Sequence, residues 1–184
     1  MQNVTYEETQ DKYELLRMTV HKIAHENLPN VITNKMGLAI LKSDISLKGL
    51  DFHSYQSLRV WNDSGQRVAP WDWDDVRKKY RSHPKRFELS IWHKQLFLCG
   101  ASIGRPTVSG NKLRLDFIEA NPTGSPLHGT ITDIVILTGR LYAKAIGASQ
   151  LRIMHPINKK VRDHYLSKGG FSFNEKGNFC FQDI

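Results

Sequence analysis

Residues 113–148 constrain this chain more than any other stretch. They read Leu-Arg-Leu-Asp-Phe-Ile-Glu-Ala-Asn-Pro, then Thr-Gly-Ser-Pro-Leu-His-Gly-Thr, then a long apolar segment ending at Gly147. Leu113, Leu115 and Phe117 alternate with Arg114, Asp116 and Ile118, the two-residue period of a strand. From Thr130 the period changes. Ile131, Ile134, Val135, Thr138, Tyr142, Ala145 and Ile146 recur at helical spacing, and Gly147 is placed to end the helix as a left-handed cap. A glycine turn that opens a helix leaves backbone N–H groups free at the positive end of the helix dipole, which suits a phosphate. The turn matches neither the P-loop nor the dinucleotide fingerprint. By itself it does not separate a ligand site from a well-made strand–turn–helix unit.

The next segment adds a second unit. Leu151 and Ile153 mark a strand that ends at Pro156, and Asn158 is placed to cap a short helix. Tyr165 follows seven residues later, two turns along the same face, and Gly169-Gly170-Phe171 closes the segment. In the order and spacing of both units the chain resembles the GNAT superfamily of acyl-CoA-dependent N-acyltransferases, over roughly residues 85–184. The residues that carry the second unit are Asn158, Tyr165, Gly169 and Phe171, with Gly170 as one extra residue.

The resemblance implies acetyl-CoA or a related acyl-CoA as co-substrate. It would run past Ile118 and Ala120, be cradled at Gly124, Ser125, His128, Gly129 and Thr130, and meet Asn158. The pyrophosphate loop of that family usually reads Arg/Gln-x-x-Gly-x-Gly/Ala. Here the matching register holds Pro126, Gly129 and Ile131, so the basic residue and the last small residue are missing.

Acyl transfer to an amine needs a base for the amine and an acid for the leaving thiolate. Tyr165 is the candidate acid, since a phenol near pKa 10 keeps its proton at neutral pH. Glu119, Asp116 and His128 are the candidate bases. Strand alternation sets Glu119 and Phe117 on one face and Asp116 on the other, which favours Glu119, nearest the turn.

The 184 residues carry 26 Lys and Arg against 18 Asp and Glu, a formal net charge of +8. Such a balance favours phosphate-bearing or acidic partners. The run Arg77, Lys78, Lys79, Arg81, Lys85, Arg86, interleaved with Tyr80 and His83, would attract a phosphate backbone, though a solvated helix face is the commoner meaning of a charge run. Cys99 and Cys180 lie in apolar strand-like runs with no metal-ligand spacing, so reduced buried thiols and no metal site are expected. The first residues are polar rather than a signal peptide, and the apolar run Ile134–Leu137 is too short to span a bilayer. These readings point to a basic cytoplasmic protein without membrane contact, folded as one domain over residues 1–184.

Along the remainder, residues 6–28 have the pattern of an amphipathic helix, with His21 and His25 read as solvated. Residues 30–50 are ambiguous. Residues 51–70 alternate weakly around Asn62-Asp63-Ser64-Gly65, a hairpin signal. A helix starts at Trp71, and three strands follow, around residues 87–91, 96–103 and 113–120. Residues 171–182 form a terminal hairpin. Trp61, Trp71, Trp73 and Trp92 are best read as core, with a substrate pocket as the alternative. The expected fold is α+β, a mixed and mostly antiparallel sheet with helices on both faces. The expected function is N-acyl transfer, of acetyl or a related acyl group, to an unidentified amine. The alternatives are a protein of the same fold that modifies or binds nucleic acid, similar to phage adenine-modifying proteins or tRNA-acetylating toxins, and a non-catalytic binding module. The sequence leaves the acceptor and acyl group unidentified and a homodimer open.

Overall fold

The computed structural model describes residues 5–184, so the polar start read above lies outside it except for its last residues. Helix α1 (Tyr6–Glu26) begins in a capping box: Thr5 Oγ1 accepts the Glu8 N–H, and the Glu8 carboxylate accepts the Thr5 N–H. A cap of this kind contributes about 1 kcal/mol. A small antiparallel hairpin follows, β1 (Val31–Thr33) with β2 (Ala39–Leu41), and then strand β3 (Ile45–Lys48). Helices α2 (Phe52–Asn62) and α3 (Trp73–Tyr80) precede strands β4 (Phe87–His93), β5 (Phe97–Pro106) and β6 (Lys112–Ala120). Helix α4 (Ile131–Ala145), strand β7 (Gln150–Met154), helix α5 (Lys159–Leu166) and strands β8 (Ser172–Asn174) and β9 (Phe179–Asp183) complete the chain.

The large sheet has the order β3-β4-β5-β6-β7-β9-β8. Its pairs are antiparallel except β6 with β7, which the crossover helix α4 makes parallel. Two cores flank it. Helices α1, α4 and α5 bury Val20, Ile134, Val135, Tyr142 and Tyr165 against one face. Helices α2 and α3 bury Leu58, Trp61, Trp73 and Tyr80 against the other, over Trp92, Leu98 and Ile103. This is the α+β layout expected, with helices on both faces.

Two local expectations are overturned outside the central strands. Residues 51–70 hold a helix rather than a hairpin. Asp51 caps it by accepting the Ser54 N–H, and Tyr55, Leu58 and Trp61 recur at three-residue intervals into the core while Val60 points to solvent. Burial of one helical stripe outweighs weak alternation. His21 is not solvated: it is 5% exposed, with Nε2 2.8 Å from the Glu88 carbonyl, and burial lowers its pKa. In the ambiguous span, the apolar run at residues 36–41 is strand from Ala39 to Leu41 and buries Ile40, while Met36 and Leu38 are exposed.

A bulge in β6 has the largest consequence. Ile103 pairs with Phe117 and the next residue, Gly104, pairs with Leu115, so Asp116 is an extra residue on its strand. Alternation therefore inverts there. Leu113 and Leu115 pack toward α4, whereas Phe117 packs toward α3, against Trp71, Trp73 and Tyr80. The expectation that Asp116 and Glu119 occupy opposite faces is corrected: both reach the α3 side, where Asp116 accepts from Tyr80 and Glu119 from Trp73. Gly104 permits this, because a Cβ there would stand 1.9 Å from the Arg114 carbonyl oxygen. Gly104→Ala is expected to cost at least the ~1–3 kcal/mol of ordinary overpacking, read as a lower urea midpoint at unchanged m-value. An unchanged midpoint would show that the bulge relaxes freely.

Candidate functional site

Strands β6 and β7 pair only from Lys112 to Leu115 and from Gln150 to Ile153. Beyond that, β6 continues to Ala120 without a partner on that side, and the two strands part. The gap is a cleft of about 210 Å³ whose lining includes Ile118, Ala120, Ile131, Met154, Trp71 and Tyr165. Its walls are mainly apolar, so a charge or dipole inside it is weakly screened.

The loop that closes one end folds on its own side chains. Asn121 Oδ1 accepts from Thr123 N–H and Oγ1, and Ser125 Oγ accepts from Leu127 N–H. Thr130, at the start of α4, does not cap the helix: its hydroxyl donates to the Leu127 carbonyl instead. The first-turn N–H groups of α4 are thus left facing outward at the positive end of the dipole. Gly129 has φ +85°, and a Cβ on it would meet Lys35 Cβ at 2.7 Å. Close by, His164 Nε2 lies 3.0 Å from Thr132 Oγ1. Burial, then Lys168, lowers the His164 pKa, with a further lowering from Lys35.

The sequence-derived residues separate into groups. Ile118, Ala120, Asp116, Glu119 and Tyr165 line the cleft. Gly124, Ser125, His128, Gly129 and Thr130 form the loop and helix start beside it. Asn158 caps α5 through the Val161 N–H at 2.9 Å and is exposed, outside the cleft lining. Tyr165 is 8% exposed, and burial, aided by Cys180, pushes its pKa up to about 12. Cys99 and Cys180 are free, buried thiols; burial pushes Cys99 up to about 11.

The two carboxylates differ in what they hold. Glu119 accepts from Arg67 Nε and Nη2 at 2.7 and 2.9 Å, and from the indole N–H groups of Trp71 and Trp73 at 3.2 and 2.7 Å. A carboxylate has about four lone-pair sites; four donors hold Glu119, three of them on Oε2 and one on Oε1. Asp116 accepts from Tyr80 and from Arg114 Nε and Nη2. Arg67 was missed as a site residue, and the two indoles were read as core with a pocket only as the alternative. Arg67 lies 52 residues before its partner in a segment without periodicity, so no local signal marks it. In the basic run on α3 and just past it, Arg77 stacks on Tyr55, Lys78 pairs with Asp75 and Arg86 with Glu88.

No family model matches the chain, and no curated protein sequence does. Solved structures do. Spermidine N-acetyltransferase from Vibrio cholerae, in complex with CoA and spermine, superposes with a TM-score of 0.55 at 11% identity, over 77% of this chain and 96% of that one. PaiA N-acetyltransferase from Thermoplasma acidophilum, in complex with coenzyme A, gives 0.53 at 15% identity, over 76% and 99%. A ribosomal-protein alanine N-acetyltransferase from Escherichia coli gives 0.54 at 11% identity, over 76% and 94%. Among the described residues no helix is long and apolar enough to cross a membrane. The splayed parallel pair, the crossover helix between its strands and these superpositions together identify the fold of the chain as that of the GNAT N-acetyltransferases.

Proposed function

We propose that the chain is an acyl-CoA-dependent N-acyltransferase that moves an acetyl or related acyl group from the coenzyme thioester to an amine. The observation that carries this reading is the cleft between the parted β6 and β7. It has the uncapped start of α4 at one end and the Tyr165 ring in its wall, in a fold shared with acetyltransferases crystallised with coenzyme A.

In this reading the first-turn N–H groups of α4 and the exposed Lys35 receive the coenzyme pyrophosphate. They take the place of the basic loop residue that the sequence lacks. The apolar walls at Ile118, Ile131 and Met154 hold the thioester away from water. The amine nitrogen attacks the thioester carbonyl, the C–N bond forms and the C–S bond breaks. Asp116, held by three donors, takes the proton of the amine in preference to Glu119, held by four. Tyr165 keeps its proton throughout the neutral range and donates to the departing sulfur, which is desolvated in the same cleft and therefore more basic than in water.

Acetyl-CoA at 100 times its dissociation constant is expected to raise stability by about 2.7 kcal/mol, measured as an upward thermal shift. No shift at millimolar acetyl-CoA would overturn the coenzyme reading.

A further inference from the structure

Past the edge of α3, on the face of the sheet that carries Phe117, three arginines stand side by side. Arg105 on β5 pairs with Arg114 on β6, and Arg114 pairs with Arg152 on β7. Adjacent strands lie about 4.8 Å apart, so the row spans roughly 10 Å. Like charges directly opposite one another destabilise a sheet, and Arg114 is only 30% exposed.

The groups that hold the row mostly do not neutralise it. Arg105 Nη1 donates to His83 Nε2 at 2.7 Å, and its guanidinium lies 5.8 Å from the centre of the Tyr80 ring. An arginine can only donate, so His83 accepts there as the neutral imidazole. Arg152 Nε donates to Gln150 Oε1 at 2.7 Å, and its guanidinium lies 4.3 Å from the centre of the Phe179 ring. Arg114 alone meets a carboxylate, Asp116. Beside the row, between the α3–β4 loop and the β5–β6 turn, is a hollow of about 370 Å³. It is lined by Thr9, His83, Lys85, Arg105, Thr107 and Arg114 among others, with no carboxylate in its lining.

Arg105 and Arg152 therefore present guanidinium forks without a carboxylate partner, beside a hollow that also holds Lys85, the donor set that matches a phosphate. Their position gives the phosphate a role. Arg114 lines the hollow and is bonded to Asp116, which lines the cleft. The two openings thus adjoin through one ion pair. We propose that the arginine row and its hollow bind a phosphate group of the acceptor, so that the amine acylated in the cleft belongs to a nucleotide or to a nucleic-acid strand. The assignment to the acceptor rests on the acyltransferase reading; the phosphate site itself does not.

The test is a calorimetric titration of the intact protein with inorganic phosphate, adenosine monophosphate and a short single-stranded RNA, each at several salt concentrations. The same titrations are made on a variant carrying Arg105→Gln and Arg152→Gln, and acetyl-CoA is titrated into both proteins as the control. A strand that covers the whole row should show a slope of log affinity against log salt near −2, at about 0.7 per phosphate contact. The double variant should lose at least tenfold in affinity and about 1.4 of that slope, with acetyl-CoA binding unchanged. Equal affinity of the mononucleotide and the strand would assign the site to a small phosphorylated acceptor; a preference for the strand would assign it to nucleic acid.

The proposal is overturned if no phosphate-bearing probe binds the parent, if the double variant binds as the parent does, or if saturating acetyl-CoA competes with the probes. Should the glutamine variant fold poorly, Arg105→Lys with Arg152→Lys keeps the charge: retained salt dependence supports the site, and binding indifferent to salt overturns it. Failure of acetyl-CoA to bind the parent would remove the acyltransferase reading while leaving the phosphate titrations to decide this one.

Discussion

Tyr165→Phe is expected to lower turnover by roughly 100-fold or more while leaving the melting temperature nearly unchanged. The ring is buried against the α4 side of the sheet, and phenylalanine preserves that packing. Among the described residues the hydroxyl has no hydrogen-bond partner, and the residue lines the cleft, so its removal breaks no internal bond. In the proposed mechanism, what disappears is the proton donor for the leaving sulfur. With the pKa pushed up to about 12, the parent should show no loss of activity from this group until well above neutrality. Steady-state rates and a thermal melt on the same preparation separate the possibilities. Parallel losses of activity and melting temperature would reduce Tyr165 to a packing residue, and full activity would remove it from the chemistry.

The second large effect is expected on stability. Glu119→Ala should cost about 3–5 kcal/mol, because it leaves the buried Arg67 guanidinium unpaired. The side chains of the pair are 8% and 9% exposed, so water cannot replace the lost partner. For a chain of this size that corresponds to a fall of roughly 6–20 °C in melting temperature. A further variant with Arg67→Met and Glu119→Leu should recover much of the loss, since two apolar groups leave no orphaned charge. Urea unfolding of the three proteins checks both expectations; an alanine variant as stable as the parent would show that the pair is energetically idle.

The strand, turn and helix over residues 113–147 were legible because each has its own period, and Gly147 has the left-handed φ of +76° that its place at the helix end requires. Asn158 was legible as a cap for the same reason: the pattern and the bond that enforces it lie within three residues. Helix α2 was not. Its apolar stripe is three residues deep and becomes decisive only when the sheet lies beneath it. The bulge at Asp116 was invisible because nothing in the identity of residues 113–119 marks a break in alternation. The cause stands on the neighbouring strand, at Gly104, where only a residue without Cβ allows the close approach. The same distance problem hid Arg67. The candidate site was therefore readable along its own strand and helix, and unreadable wherever another element sets the orientation of a side chain.

The small hairpin of β1 and β2 sets where the molecule can be cut. Lys35 N–H donates to the His128 carbonyl, and the buried Asn34 donates from its side chain to the Pro126 carbonyl while its Oδ1 holds Met36 and Leu38. The turn that opens α4 is thus braced by residues some ninety positions upstream. A fragment trimmed to residues 85–184, the span of the sequence resemblance, would keep every residue of the turn and lose the scaffold that shapes it. The N-terminal third is then part of the scaffold of the candidate site, and any chimera or library built on this chain should carry both pieces together.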